Sequence, residues 1–367
     1  MDLSKFTIGI EEEYQIIDPQ TREMTSYIQE FLERGRVILK DHIKAEFLQS
    51  QVEIGTSICR SIGEARDEIT RLRRHIVEIA EAGGVQVAAA STHPFSSWSS
   101  QQVTAGERYT KLAAQMADLA RQMLIFGMHV HVGIPDKELL IDIMNQARYF
   151  APHLLALSTS SPFWAGRETG LKSYRSVVFE MLPRTGVPPA FGSWSEYQAF
   201  IDTLVSTNCI DDPTKIWWDM RPHPKFPTLE FRFCDVCTRV DDVICLTALL
   251  LAIVSKLIKL RRYNQSWRRY RHHLIIENKW RAVRWGIDGQ LIDFGMRQEV
   301  PVRTLVYEIL ELIDDVVDEL GVRREVEHVH RILEDGTSAD RQLRVYHETG
   351  DLKAVVDHLV TETKAGL

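Results

Sequence analysis

Apolar and polar residues alternate over residues 7–14, between Phe6 and the Ile16-Ile17 pair, and this predicts a strand close to the N-terminus. Side chains at i and i+2 of a strand share a face. Glu11 and Glu13 therefore point together, while Glu12 points with Ile10 and Tyr14. Alternation recurs over 43–58, which carries Glu46 and Glu53 and closes at Gly55-Thr56-Ser57, and over 127–133 in Gly-Met-His-Val-His-Val-Gly. A buried strand is expected at 85–90. Two more are expected at 217–219 and 228–233, split by a turn at Arg221-Pro222-His223-Pro224.

A helical period takes over elsewhere. Residues 62–82 place Ala65, Ile69, Leu72, Ile76 and Ile79 on one stripe, ended by Gly83-Gly84. Further helices are expected at 27–39, 109–122 and 137–149, the last behind the start signal Ile134-Pro135-Asp136. From Asp241 the chain reads as nearly all helix. The stretch 158–193 is irregular and rich in Pro, Gly, Arg and aromatic residues, and long irregular segments in compact proteins usually carry function. With no linker and no internal repeat, the pattern predicts one α+β domain over 1–367. Its sheet-rich part is 1–240 and its helical part 241–367.

Composition narrows the partners. Hydrophobic residues make up 44% of the chain, enough for a sizeable core, and the net charge of −7 argues against nucleic acid. Five unevenly spaced cysteines fit a reducing compartment better than a disulfide framework. Met1-Asp2-Leu3-Ser4-Lys5 lacks the apolar stretch of a secretory signal. Residues 243–260 are apolar enough to suggest a membrane span, but Ser255, Lys256 and Lys259 interrupt them, so a buried core helix is expected. These features together predict a cytoplasmic protein without a membrane partner.

The candidate chemistry is a set of weak signals. Glu11 and Glu13 crowd one strand face, which either binds a cation or belongs to an edge strand with solvated acids. Glu46 and Glu53 are seven apart, so a bend or bulge is needed if they share a site. His129 and His131 share a face, as metal ligands or as buried imidazoles bonded to backbone. Glu230 and Arg232 again stand at i and i+2, as a metal-binding acid beside a phosphate-binding guanidinium or as a cross-strand salt bridge. Together they form an oxygen-rich set with an imidazole, which suits Mg²⁺ or Mn²⁺ and the handling of nucleotide phosphates. Cys234 and Cys237 form a lone C-x-x-C, read as two half-buried residues at a strand end.

Gly9-Ile10-Glu11-Glu12-Glu13, Val52-Glu53-Ile54-Gly55-Thr56, the 127–133 segment and Leu229-Glu230-Phe231-Arg232-Phe233 stand in an order that resembles the glutamate-cysteine ligase type 2 family of carboxylate-amine ligases, within the glutamine synthetase superfamily. The C-terminal segments 277–286 and 350–356 are similar to the family as well. The resemblance implies an antiparallel curved sheet lining the active site, and ATP with Mg²⁺ or Mn²⁺ as cofactors. It implies that Glu13 and Glu53 hold one metal ion, with Glu46 in support, while Glu11, His129 and Glu230 hold another and Arg232 reaches the γ-phosphate. The reaction implied is glutamate, cysteine and ATP to γ-glutamylcysteine, ADP and phosphate through an acyl phosphate. Open alternatives are another amine or carboxylate, a metal-dependent hydrolase, or a non-catalytic nucleotide-binding regulator.

Substrate residues are less defined. Arg167, Lys172, Arg175 and Arg184 supply cations for an α-carboxylate, with Tyr174 and Trp164 to pack against its chain, or they form a solvated basic loop. His93 is a candidate for approaching substrate or nucleotide. Arg281 and Arg284, at i and i+3, either reach phosphate or face solvent. The long C-terminal helices either pack a homodimer or cover the sheet.

Overall fold

In the computed structural model, seven short strands pair into one antiparallel sheet, the longer ones built on β-branched and aromatic residues. The structure describes residues 6–367, so the expectation read from Met1 to Lys5 lies outside the described residues. The strands are β1 (Ile8–Ile17), β2 (Ile43–Ala45), β3 (Gln51–Gly55), β4 (Gln86–Ala88), β5 (Met128–Gly133), β6 (Met220–Pro222) and β7 (Thr228–Phe231). Their order is β6-β7-β5-β1-β3-β2, with β4 pairing the end of β1. The expected strand over 43–58 is two strands. A hairpin bend at 46–50 reverses the chain, and it supplies the bend that Glu46 and Glu53 need.

Helices α1 (Ile28–Leu39) and α2 (Ile62–Ala82) follow the first hairpin arms. The Ser61 side chain caps α2 by accepting from the Glu64 N–H at 3.1 Å. The predicted stripe of α2 is buried, and so, against the pattern, is Arg73. It answers Glu12 on β1. Because Glu12 points to the face opposite Glu11 and Glu13, it enters the core, where Arg73 Nε donates to it at 2.9 Å and Tyr14 Oη at 2.5 Å. Arg73 spends its other donors on the Cys237 and Thr238 carbonyls.

Helix α3 (Val240–Arg262) is apolar on nearly every side and buried along most of its length. It is the one helix among the described residues long and apolar enough to cross a membrane, and here it packs against α2 and β5 inside the protein. One continuous apolar cluster runs from Phe6 to Leu333. A smaller cluster joins Ile17 and Ala88 to Val355, Val356 and Leu359 of the last helix.

Several expectations change. The helix over 109–122 breaks at Ala117, whose φ of 51° separates Glu107–Met116 from Asp118–Arg121. The region after Asp241 includes a β-hairpin, Gln290–Asp293 with Gln298–Pro301, and a helix at Ser338–Thr349 that the periodicity did not reveal. Arg221 and Pro222 lie in β6 rather than in a turn, which moves the chain reversal to 223–227. Cys234 and Cys237 are fully buried, and burial pushes the Cys234 thiol up to about 12.

Candidate active site

Residues directly opposite on neighbouring strands point to the same face, and the register builds the site in three rungs. The first is Lys44, Glu53 and Glu13 across β2, β3 and β1. Gly55, Glu11 and His129 form the second, and Gly9, His131, Glu230 and Arg221 the third. Four acids, two imidazoles and two cations thus converge on one face by backbone pairing, and Arg232, two residues after Glu230, adds a third cation beside them.

The carboxyls differ in charge. Burial opposes ionisation of Glu230, but Arg232 and Arg221 outweigh it and hold this carboxyl far below the usual carboxylate range. Arg221 Nε donates to Glu230 at 2.7 Å, and Arg232 Nη1 grips the other oxygen. Glu11 is likewise lowered: burial raises it, but contacts with His129 Nδ1 at 3.3 Å and His131 Nε2 at 3.6 Å prevail. Glu53 and Glu46 are pushed up, by burial and then by neighbouring carboxylates. Burial and the Glu53 charge raise Glu13 to about 7, although it accepts the Gly127 N–H at 2.7 Å.

The donor atoms of Glu11, His131 and Glu230 all lie within 4.8 Å of one another. His131 Nδ1 sits 3.2 Å from Thr228 Oγ1, while its buried Nε2 faces Glu11 at 3.6 Å, beyond hydrogen-bond range. That loosely held nitrogen, together with the crowded acids, fits a divalent cation, and oxygen-rich donors with one imidazole suit Mg²⁺ or Mn²⁺. The triad brings in His131 where the resemblance gave His129. His129 lies one rung along, its pKa lowered to about 4 by burial and by Arg232.

Arg175 also reaches the site. It is buried, donates from Nη2 to the Arg232 carbonyl at 3.0 Å, and leaves Nε without a partner. A Cβ at Gly127 would stand 2.6 Å from Arg175 Nη2, so glycine is needed for this approach. Asp235 fixes the segments that lead into the short helix Tyr174–Phe179, which carries Arg175. It accepts from the Ser160 N–H, Ser161 Oγ and Ser173 Oγ, and Ser161 Oγ accepts the Arg175 N–H.

Other candidates are placed elsewhere. His93 is buried with both nitrogens committed: Nε2 to the Arg22 carbonyl and Nδ1 to the Phe95 and Ser96 N–H groups. It is a loop brace and has no polar atom left for substrate. Arg281 pairs with Glu299 at 2.8 Å and with Glu277, and Arg284 donates to the Gly170 carbonyl, so both make surface contacts in this structure. Arg167 is exposed on a two-residue ladder with Trp164. Tyr174 packs on Trp164 at 5.3 Å, Lys172 binds Asp340, and Arg184 lies over Trp217. Arg221, Lys44 and Asp235 are the residues at this face that the sequence pattern does not single out. Pro222 disguised Arg221 as a turn residue, the hairpin register reveals Lys44, and Asp235 is placed only by its contacts with Ser160, Ser161 and Ser173.

The charge pattern makes a pH prediction. Glu13 is protonated more readily in the folded chain than at its ordinary value of 4.5, so the stability it contributes is complete below 4.5 and is lost as pH rises through about 7. Metal-free protein should lose about 2 kcal/mol across this window, less than the roughly 3 kcal/mol of the full shift because the carboxyl is partly exposed. Mg²⁺ should restore the loss, more at pH 8 than at pH 5. Thermal melts with and without Mg²⁺ check this, and a pH-independent Mg²⁺ effect would contradict it.

Comparison with known proteins gives the family and the fold. Residues 7–358 match the family described as glutamate-cysteine ligase family 2 (GCS2). A relative from Chloroflexus aurantiacus, named "Putative glutamate--cysteine ligase 2", is 58% identical over 99% of this chain and 93% of its own length. One of the same name from Solibacter usitatus is 52% identical over 98% and 94%. Among solved structures, a glutamate–cysteine ligase from Francisella tularensis in complex with AMP superposes with a TM-score of 0.71 at 13% identity, covering 98% of this chain and 89% of that one. A bifunctional glutathione synthetase from Pasteurella multocida gives 0.70 at 15% identity, over 99% and 53%. The likeness to both shows the fold. The chain belongs to glutamate-cysteine ligase family 2 and is an enzyme of the ATP-dependent ligase class.

Proposed function

We propose that this single catalytic unit joins a carboxylate to an amine at the expense of ATP, with glutamate as the carboxylate and cysteine as the first amine to test. The observation that carries the reading is the one sheet face on which Glu11, Glu13, Glu46, Glu53, His129, His131 and Glu230 meet Arg232 and Arg175. A carboxylate is a poor electrophile, so it is phosphorylated first, and the amine then displaces phosphate to leave an amide. Mg²⁺ or Mn²⁺ held by the acids and imidazoles would neutralise the phosphate oxygens.

The chain's own residues do the positioning. Glu230 fixes one edge of the Arg232 guanidinium, and the unpartnered Nε leaves a donor for a phosphate oxygen. Arg175, clamped by backbone carbonyls and next to Glu13, supplies a second fixed cation for substrate. His129 is held neutral, so it offers a lone pair rather than a charge. No covalent nucleophile is needed, which agrees with the buried, protonated Cys234 and Cys237. The buried thiols and the buried apolar helix are also in keeping with a cytoplasmic enzyme.

Arg232→Lys keeps the charge but loses the planar fork, and turnover at saturating ATP should fall by roughly 10- to 100-fold. An unchanged rate would remove Arg232 from the mechanism. The whole reading is tested by ADP release from purified protein with Mg²⁺ and ATP across a grid of carboxylates and amines. Release that needs both glutamate and one amine supports the ligase and names its acceptor. Release indifferent to both, or none at all, counts against it.

A further inference from the structure

Lys44 is the one cation on this face whose side chain is half exposed, at 51%, whereas those of Arg221 and Arg232 are at 7% and 11%. The arginines are anchored by Glu230 or by backbone carbonyls. The Lys44 ammonium touches only two groups among the described residues, Glu53 Oε1 at 2.8 Å and Glu11 Oε1 at 3.4 Å. Its position is dictated by register: β2 pairs Lys44 with Glu53, which sends its side chain to the carboxylate face. Gly55, next in line, has no side chain to wall it off, and even an added Cβ would stand 4.0 Å from Nζ.

We propose that Lys44 is the resident counter-cation of the metal site, bridging Glu11 and Glu53 until a divalent ion takes over those oxygens and the lysine swings into solvent. This rests on the reading of the carboxylate face as a metal site. Two carboxylates from adjacent strands, close enough to share one ammonium, repel each other unless a cation lies between them. A lysine suits an exchangeable role better than an arginine, because it is a compact charge on a flexible stem with no bidentate grip to break. Lys44 therefore sets a threshold. It supports the metal-free fold, and it lowers metal affinity by having to be displaced.

The test is calorimetric titration of Mn²⁺ into nucleotide-free wild type and Lys44→Met at fixed ionic strength, with thermal melts of both metal-free proteins at pH 8. Lys44→Gln replaces Lys44→Met if the latter aggregates. The variant should bind Mn²⁺ about ten-fold more tightly, as expected for removal of one partly exposed charge at this range. Its metal-free form should melt roughly 2 °C lower, and saturating Mn²⁺ should erase the difference. Equal or weaker Mn²⁺ binding by the variant, with normal binding by wild type, would overturn the role given to Lys44. Absence of Mn²⁺ binding in wild type would overturn the metal-site reading beneath it.

Discussion

Glu53→Gln should lower Mg²⁺-dependent turnover by at least about 100-fold while leaving the metal-free protein as stable as the parent or more so. The two effects have one cause. Glu53 stands opposite Glu13 in the sheet and is pushed well above the usual carboxylate range by burial and by the Glu11 and Glu46 charges. A neutral amide of the same shape relieves that repulsion but gives up an anionic oxygen for a cation. Thermal melts and ADP release on the same preparation read both. Wild-type turnover in the variant would sink the assignment of Glu53. Unfolding without loss of specific activity in the remaining folded fraction would make it a structural residue only.

Glu12→Gln should do the reverse and cost the fold about 3–5 kcal/mol, the usual penalty for leaving one partner of a buried ion pair unmatched. Glu12 and Arg73 have no exposed side-chain surface, and two of the five guanidinium N–H groups donate to that carboxylate. Replacing both partners together, as Glu12→Leu with Arg73→Met, should recover much of the loss, since a buried ion pair is often no better than apolar packing of similar volume. Urea unfolding of the three proteins decides it. A single variant as stable as the parent would show that the pair contributes little. Adjacent residues in Glu11-Glu12-Glu13 thus have opposite fates, set only by which face of β1 each one occupies.

That division was legible from the sequence, because a period of two is all that separates the faces. The register was not. Alternation identified β1, β5 and β7 and their acids and imidazoles, but which residue faces which depends on hairpin geometry. Two examples show this: the bend at 46–50, which unites Glu46 with Glu53, and the reversal at 223–227, which puts Arg221 against Glu230. Arg73 escaped notice because a charged residue on an otherwise apolar helix face is identifiable only together with its partner on another element. His93, Arg281 and Arg284 were plausible by residue type, and their hydrogen bonds, which composition does not reveal, tie them to other partners away from the carboxylate face. The hairpin at 290–301 was hidden between strong helices, where a short strand pattern carries little periodic signal.

The most direct test of carboxylate activation follows oxygen. With glutamate labelled with ¹⁸O in its side-chain carboxylate, Mg²⁺, ATP and the amine that supports turnover, each product phosphate should carry one labelled oxygen, because the acyl phosphate is cleaved when the amine displaces phosphate. Label appearing instead in AMP would show activation through a nucleotidyl group. Phosphate free of label would show simple ATP hydrolysis, and either result would contradict the mechanism proposed for this site.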